Sequence, residues 1–286
     1  MIKTAVLVYL LTLVAANVTH AKKFRFTAIP DENTARLRER FDKVAAYLSD
    51  NLGIPVEYVP VKSYSASVAA FKNNEVQLAW FGGLSGVKAR RAVRGALAIA
   101  QGTEDMAFVS YFIANTSTGI QESDIFPQGV EGRTFTFGSK GSTSGRLMPE
   151  FFIRKHLKNT PSKTFKRVGF SGDHSKTLSL VQSGHYEVGA LNYKVWQNEL
   201  AAGNVDTSRV RIIWESPPYT DYNWTIRGDV EAKFGEGLIQ KVQQAIIDMK
   251  DADLLKSFPR SGFIRADNSM YGPILETAIE VGIIEN

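Results

Sequence analysis

Residues 173–192 read DHSKTLSLVQSGHYEVGALN, and a shift of 110 positions lays them over residues 63–82, SYSASVAAFKNNEVQLAWFG. Both stretches open on a polar cap, run on as a helix, turn through polar residues and end in a buried strand. The overlay sets Tyr64 on His174 and Ser65 on Ser175. The likeness is one of pattern rather than identity, and strand–helix–strand units resemble one another, so its weight depends on what surrounds it.

What surrounds it is a regular alternation. KFRFTAIP reads as a strand, 35–52 as an amphipathic helix stopped by Gly53, VEYVPV as a strand, 65–72 as a short helix and VQLAWFG as a strand. A helix over 85–93 leads to ALAIAQ and FVSYFIAN. The second series runs TFTFGS, a helix over 144–156, KRVGFS, a helix over 175–182, YEVGALN, a helix near 195–202 and VRIIWES; beyond Gly228 the chain reads as mainly helical. Such alternation predicts an α/β fold with largely parallel sheets flanked by helices. Taken with the repeat, it predicts two equivalent lobes around a cleft: lobe 1 from 22–113 plus 221–286, lobe 2 from 118–220. The crossings between them fall in YFIANTST and YTDYNWTIRG, near 112–118 and 219–228.

The ends and the composition bound the function. Lys3, the apolar run 5–16 and the small residues Thr19 and Ala21 have the layout of a secretory signal over residues 1–21, and no other stretch is long and apolar enough to cross a bilayer. The expected mature chain is exported. It has no cysteine, so there is no disulfide framework, no thiolate metal site and no lipid-modified cysteine. Without Lys3 the chain carries 33 basic against 29 acidic residues, a mild +4. That suits a small anionic ligand as well as it suits dispersed surface lysines. No dense basic patch with interleaved aromatics points to nucleic acid.

The chemistry hangs on residues 137–146, FGSKGSTSGR, between a strand and a helix. A nucleotide phosphate loop would need Lys-Ser/Thr after its last glycine, but Arg146 follows Gly145. A nucleophile elbow needs a central serine, whereas GSTSG centres Thr143, and His156 and His185 read as solvated. An anion receptor fits better. Helix N-terminal N–H groups lack intrahelical partners, Ser142, Thr143 and Ser144 add donors, and Gly141 and Gly145 allow close approach. Simple capping by Ser142 or Ser144 is the competing reading. SGDHSKT brings Asp173, His174 and Ser175 to a neighbouring helix start. In lobe 1, Tyr64, Ser65, Trp80, Phe81 and Ser85 occupy the corresponding edge, with Trp80 read as core.

DENTARLRERFDKVAAYLSDNLGIPVEYVPVKSYSASVAAFKNNEVQLAWFGGLS, FTFGSKGSTSG, FSGDHSKTLSLVQSGHYEVGALN and WESPPYTDYNW together resemble the periplasmic phosphonate- and phosphite-binding proteins of ABC importers, over essentially all of the mature chain. The resemblance implies a type II periplasmic binding protein fold, two lobes on a two-stranded hinge, a ligand held in the cleft, and delivery to an inner-membrane permease. It implies a monomer with no cofactor, no metal and no catalysis. Carried over by motif, the ligand residues are Tyr64, Ser142, Thr143, Ser144 and His174, with Phe81, Asn192, Tyr193, Asp221 and Tyr222 around them. Phe81 stands where the phosphonate binders have tyrosine. Asn192-Tyr193-Lys194 lacks the glutamate of the aminoalkylphosphonate binders, so a small inorganic or methylated oxyanion is expected, with selenate, sulfate or phosphate as the alternatives. An apolar contact from Phe81, Tyr222 or Trp224 would select a P–H bond, and a charged His174 would add attraction. A soluble ligand sensor for a membrane receptor is the alternative role.

Overall fold

The computed structural model describes residues 22–285, and the leader read over 1–21 lies outside them. The chain runs β1 (Phe24–Ala28), α1 (Thr34–Leu52), β2 (Val56–Tyr58), α2 (Tyr64–Lys72), β3 (Leu78–Phe81), α3 (Gly83–Ala92), β4 (Leu97–Gly102) and β5 (Ser110–Asn115). Then come β6 (Thr134–Phe137), α4 (Met148–Leu157), α5 (Pro161–Thr164), β7 (Arg167–Phe170), α6 (His174–Gln182), β8 (Val188–Asn192), α7 (Tyr193–Ala201) and β9 (Val210–Glu215). It closes with β10 (Asn223–Ile226), α8 (Val230–Phe234), α9 (Leu238–Ile247), α10 (Ala252–Ser257), β11 (Phe263–Arg265) and α11 (Gly272–Glu280).

Local chemistry explains the boundaries. The Asn33 side chain caps α1 by accepting from the Ala35 and Arg36 N–H groups. Gly53, at φ 66°, ends the helix in the left-handed conformation that a residue without Cβ adopts most readily. Between the caps, Leu37, Phe41, Val44 and Leu48 recur at helical spacing and are buried. The two copies of the repeat begin alike: Ser63 accepts from the Ala66 N–H and Asp173 from the Lys176 N–H, each from the N-cap of its helix.

Two sheets result. The first has the order β11-β4-β10-β3-β1-β2, the second β7-β6-β8-β5-β9. In each, a parallel trio (β2-β1-β3 and β7-β6-β8) carries the alternating units read from the sequence. The remaining strands pair antiparallel, so both sheets are mixed rather than mostly parallel. The antiparallel strands are those that carry the chain from one sheet to the other and back, plus the edge strand β11. Within YTDYNWTIRG, residues 223–226 are β10, inserted between β3 and β4 at the centre of the first sheet.

The chain passes from the first sheet to the second between β4 and β5, and returns between β9 and β10. There the two passes touch. Phe108 and Tyr219 exchange N–H···O bonds of 2.9 Å, and the Asp221 N–H donates to the Asp105 carbonyl at 3.0 Å. Residues 112–115, expected at the outward crossing, instead pair along β8 and β9 inside the second sheet. Each half has its own aromatic core, around Phe26, Phe41, Trp80 and Trp224 in one and Phe112, Phe135 and Trp214 in the other. The second core reaches across to Leu84 and Val87 of α3 and to Ile274 and Ala278 of α11.

Candidate functional site

The site grows from the C-terminal ends of β3, β6 and β8, where chain direction and helix starts bring backbone donors together. After β6, residues Thr143–Leu147 form one π turn that leads into α4. Each hydroxyl of the turn faces a different neighbour. Ser142 Oγ accepts from the Gly145 N–H at 2.9 Å and lies 3.5 Å from His174 Nε2. Thr143 Oγ1 crosses between the halves and accepts from the Leu84 N–H, in the first turn of α3, at 3.0 Å. Ser144 Oγ is buried beside Tyr219 and has no hydrogen-bond partner among the described residues. Capping therefore accounts for Ser142 but leaves Ser144 unexplained.

The repeat has a chemical consequence. Tyr64 and His174 are the first residues of α2 and α6, are both buried, and both reach Ser142. The Tyr64 hydroxyl is close enough to feel Ser142, yet it too is buried without a hydrogen-bond partner among the described residues. At His174, Nδ1 accepts from the Asn192 N–H at 3.2 Å, so the ring proton sits on Nε2, directed toward Ser142. Burial lowers the pKa of this histidine to about 3. The charged imidazole considered from the sequence is thus corrected: His174 is a neutral donor.

Asp221, just before β10, faces the same turn. One oxygen, Oδ1, accepts from the Gly83 N–H at 2.8 Å, and Oδ2 is buried and unpartnered among the described residues. Burial raises its pKa to about 7, against the opposing pull of Thr143 and the Gly83 N–H. The close approach depends on Gly82, where a Cβ would stand 3.2 Å from both Asp221 Oδ1 and Thr143 Oγ1.

Asp31, which sequence reasoning missed, is a second buried carboxylate. It follows β1 by three residues, and its carbonyl accepts from the His174 N–H at 2.9 Å, between the halves. The Tyr222 hydroxyl donates to Asp31 Oδ2 at 2.7 Å and accepts from Asn192 Nδ2 at 2.9 Å. Asp31 Oδ1 has no partner among the described residues, and burial raises the pKa of this carboxyl to about 6, with Glu32 adding to the effect. The available signal was the acidic pair Asp31-Glu32 directly after a buried strand. The void beside Asp31 measures only about 10 Å³, and Glu32, Arg40, Lys194 and Arg260 are the other charged residues that line it. Asp105 and Arg260 form a buried two-bond pair next to it, at 2.9 and 2.8 Å.

Three expected aromatic contacts are placed otherwise. The Phe81 ring is in the core of the first half, edge-on to Phe71, because its strand turns that side inward. Trp224 packs among Phe26, Phe41, Trp80 and Phe258. Tyr193 packs on Phe108 and Tyr111, and burial pushes its hydroxyl up to about 12. Tyr222 stays at the site, stacked on Trp80, which is core as expected.

Buried, donor-rich and bounded by both sheets, this is the layout of a two-lobed solute receptor. The profile of a family described as ABC transporter, phosphonate, periplasmic substrate-binding protein matches residues 26–271. The chain belongs to that family. It is 37% identical over 271 residues to the probable ABC transporter phosphite binding protein PhnD1 of Prochlorococcus marinus (strain MIT 9301), covering 90% of this chain and 89% of that one. A 1.52 Å structure of PhnD1 in complex with methylphosphonate superposes with a TM-score of 0.88, covering 92% of this chain and 99% of that one. The phosphate-import protein PhnD of Mycolicibacterium smegmatis is 25% identical, covering 84% of this chain and 75% of its own. The type II periplasmic binding fold and the place in an ABC import system follow from these matches. The family is one of substrate-binding proteins, not of enzymes.

Proposed function

We propose that the protein binds phosphite or a small phosphonate such as methylphosphonate between its two halves and presents it to the importer's permease without chemical turnover. One observation carries this reading: the Tyr64 hydroxyl, Ser144 Oγ and Asp221 Oδ2 are buried without partners among the described residues, around one turn of hydroxyl residues. Buried polar groups are nearly always hydrogen-bonded, and leaving one unmet costs about 1–3 kcal/mol. A tetrahedral oxyanion satisfies all three. Its oxygens accept from Tyr64, Ser144, Thr143 and the Nε2–H of neutral His174, and one protonated oxygen shares its hydrogen with Asp221.

Asp221 separates the anion classes. A carboxylate with a free buried oxygen accommodates an anion only when the pair holds a proton. Phosphite and phosphonates bring one readily near neutral pH, whereas sulfate and selenate do not, so these are disfavoured. Aminoalkylphosphonates are disfavoured for another reason. Asp31 and Asp221 are two carboxylates that an ammonium group would use, but the space beside Asp31 is only one water in size. Of the rings weighed for a P–H or methyl contact, only Tyr222 remains at the site.

For closure, the hinge assigned to the paired passes is residues 103–109 and 216–222. Residues 22–102 with 223–285 form one lobe and 110–215 the other, working as a monomer that binds no nucleic acid and reaches the periplasm by cleavage of the leader. Calorimetry with phosphite, methylphosphonate, aminoethylphosphonate, phosphate, sulfate and selenate tests the reading. Phosphite or methylphosphonate is expected to bind most tightly. A clear preference for aminoethylphosphonate or sulfate overturns it.

A further inference from the structure

Outside Tyr64 and Gly141 the two halves leave a groove of about 260 Å³, with Ser85 and Lys88 on one wall and Ser139 and Lys140 on the other. A Cβ on Gly141 would sit 2.9 Å from Tyr64 Cβ, so the loop before the π turn rests directly on the ring whose hydroxyl faces the anion site.

The two lips of the cleft differ in charge balance. On the far lip the cations are matched: Arg36 pairs with Glu199 and Glu32, Arg40 with Glu32, and Lys43 with Glu39. On the groove side, Arg146 is paired with Glu150, but neither Lys88 nor Lys140 has an acidic partner among the described residues. Lys88 is half-buried, and burial together with Arg146 lowers its pKa, as expected for a cation held without a counterion. Lys140 lies over the Phe170 ring, 5.2 Å from its centre. One uncompensated cation thus comes from each half, at the mouth of a groove that ends on Tyr64.

We propose that this groove is an outer anion site: the oxyanion is collected between Lys88 and Lys140 and passes into the cleft there, with Tyr64 and Gly141 as the inner door. The inference rests on the oxyanion reading above. Charges of one sign lining a narrow groove raise the local concentration of a small counter-ion and its association rate, an effect that salt screens.

Stopped-flow binding of methylphosphonate tests it, comparing wild type, K88Q/K140Q and a charge-matched control, K23Q/K233Q, whose lysines line a separate pocket of the first half. The expected result is an association rate about 3–10-fold lower in K88Q/K140Q at low salt, converging on wild type at high salt, with the dissociation rate constant unchanged. The control should associate like wild type. Equal association rates and salt dependence in all three overturn the inference while leaving the oxyanion reading intact, and an equal fall in both variants overturns it as well. Absence of wild-type binding to any of the oxyanions in calorimetry removes both.

Discussion

Asp221 is the residue at which burial acts most directly on a charge beside the π turn. Its carboxyl has a usual pKa of 3.8, raised to about 7 by burial, so between those values the folded chain binds the proton that the unfolded chain releases. The stability this contributes is complete below pH 3.8 and is lost as pH rises through about 7. Asp221→Asn is therefore expected to stabilise the ligand-free protein at pH 8, by an amount on the order of a few kcal/mol, and to do little at pH 5. Urea unfolding at both values checks this, and equal differences at both contradict it. The same variant replaces a proton acceptor with an amide donor. It should shift preference from phosphite toward sulfate or selenate by about tenfold or more. His174 has the opposite sign: its pKa falls from 6.5 to about 3, so the unfolded chain binds the extra proton and stability drops as pH falls through that window.

At the scale of the element, the π turn divides two duties among adjacent hydroxyls. Ser142 caps the turn through the Gly145 N–H, so Ser142→Ala is expected to cost about 0.5–2 kcal/mol of stability along with affinity. Ser144 Oγ has no partner in the ligand-free fold, so Ser144→Ala should weaken oxyanion binding at least several-fold with little change in stability. Thermal unfolding with and without methylphosphonate separates the two, and unchanged affinity in Ser144→Ala removes the turn from the site. Gly145 is needed for close approach, since a Cβ there would lie 2.8 Å from His174 Cε1. The strand–loop–helix form of this turn was legible in FGSKGSTSGR. Which hydroxyl caps and which stays free was not, because that depends on Leu84, His174 and Tyr219, which are distant in the chain.

Across the whole molecule, side-chain contacts between the two halves tie them together. Arg36 of α1 pairs with Glu199 of α7, whose carboxylate also accepts from Ser175 Oγ at 2.8 Å and Asn204 Nδ2 at 2.7 Å. Glu199 is buried, whereas the Arg36 side chain is 37% exposed, so solvent screens the pair and its worth is about 1 kcal/mol. Glu199→Gln is expected to weaken ligand binding by about fivefold, through faster dissociation, without changing the order of preference among anions. Surface plasmon resonance on immobilised protein reads both rates, and an unchanged dissociation rate would show that the pair does not latch the cleft.

The sequence by itself determined the local units: the Gly53 stop of the first long helix, the polar caps that open the two repeats, the alternating strands and helices, the repeat that sets Tyr64 against His174, and a family resemblance that the comparisons bear out. These depend on interactions within a few residues, where periodicity and capping chemistry decide. Tertiary structure alone decided the rest. It set β10 in the middle of the first sheet, turned Phe81 and Trp224 into the core, brought Asp31 to the site and left His174 neutral. Each of these follows from burial and from partners far along the chain, and desolvation and register are properties of the packed molecule.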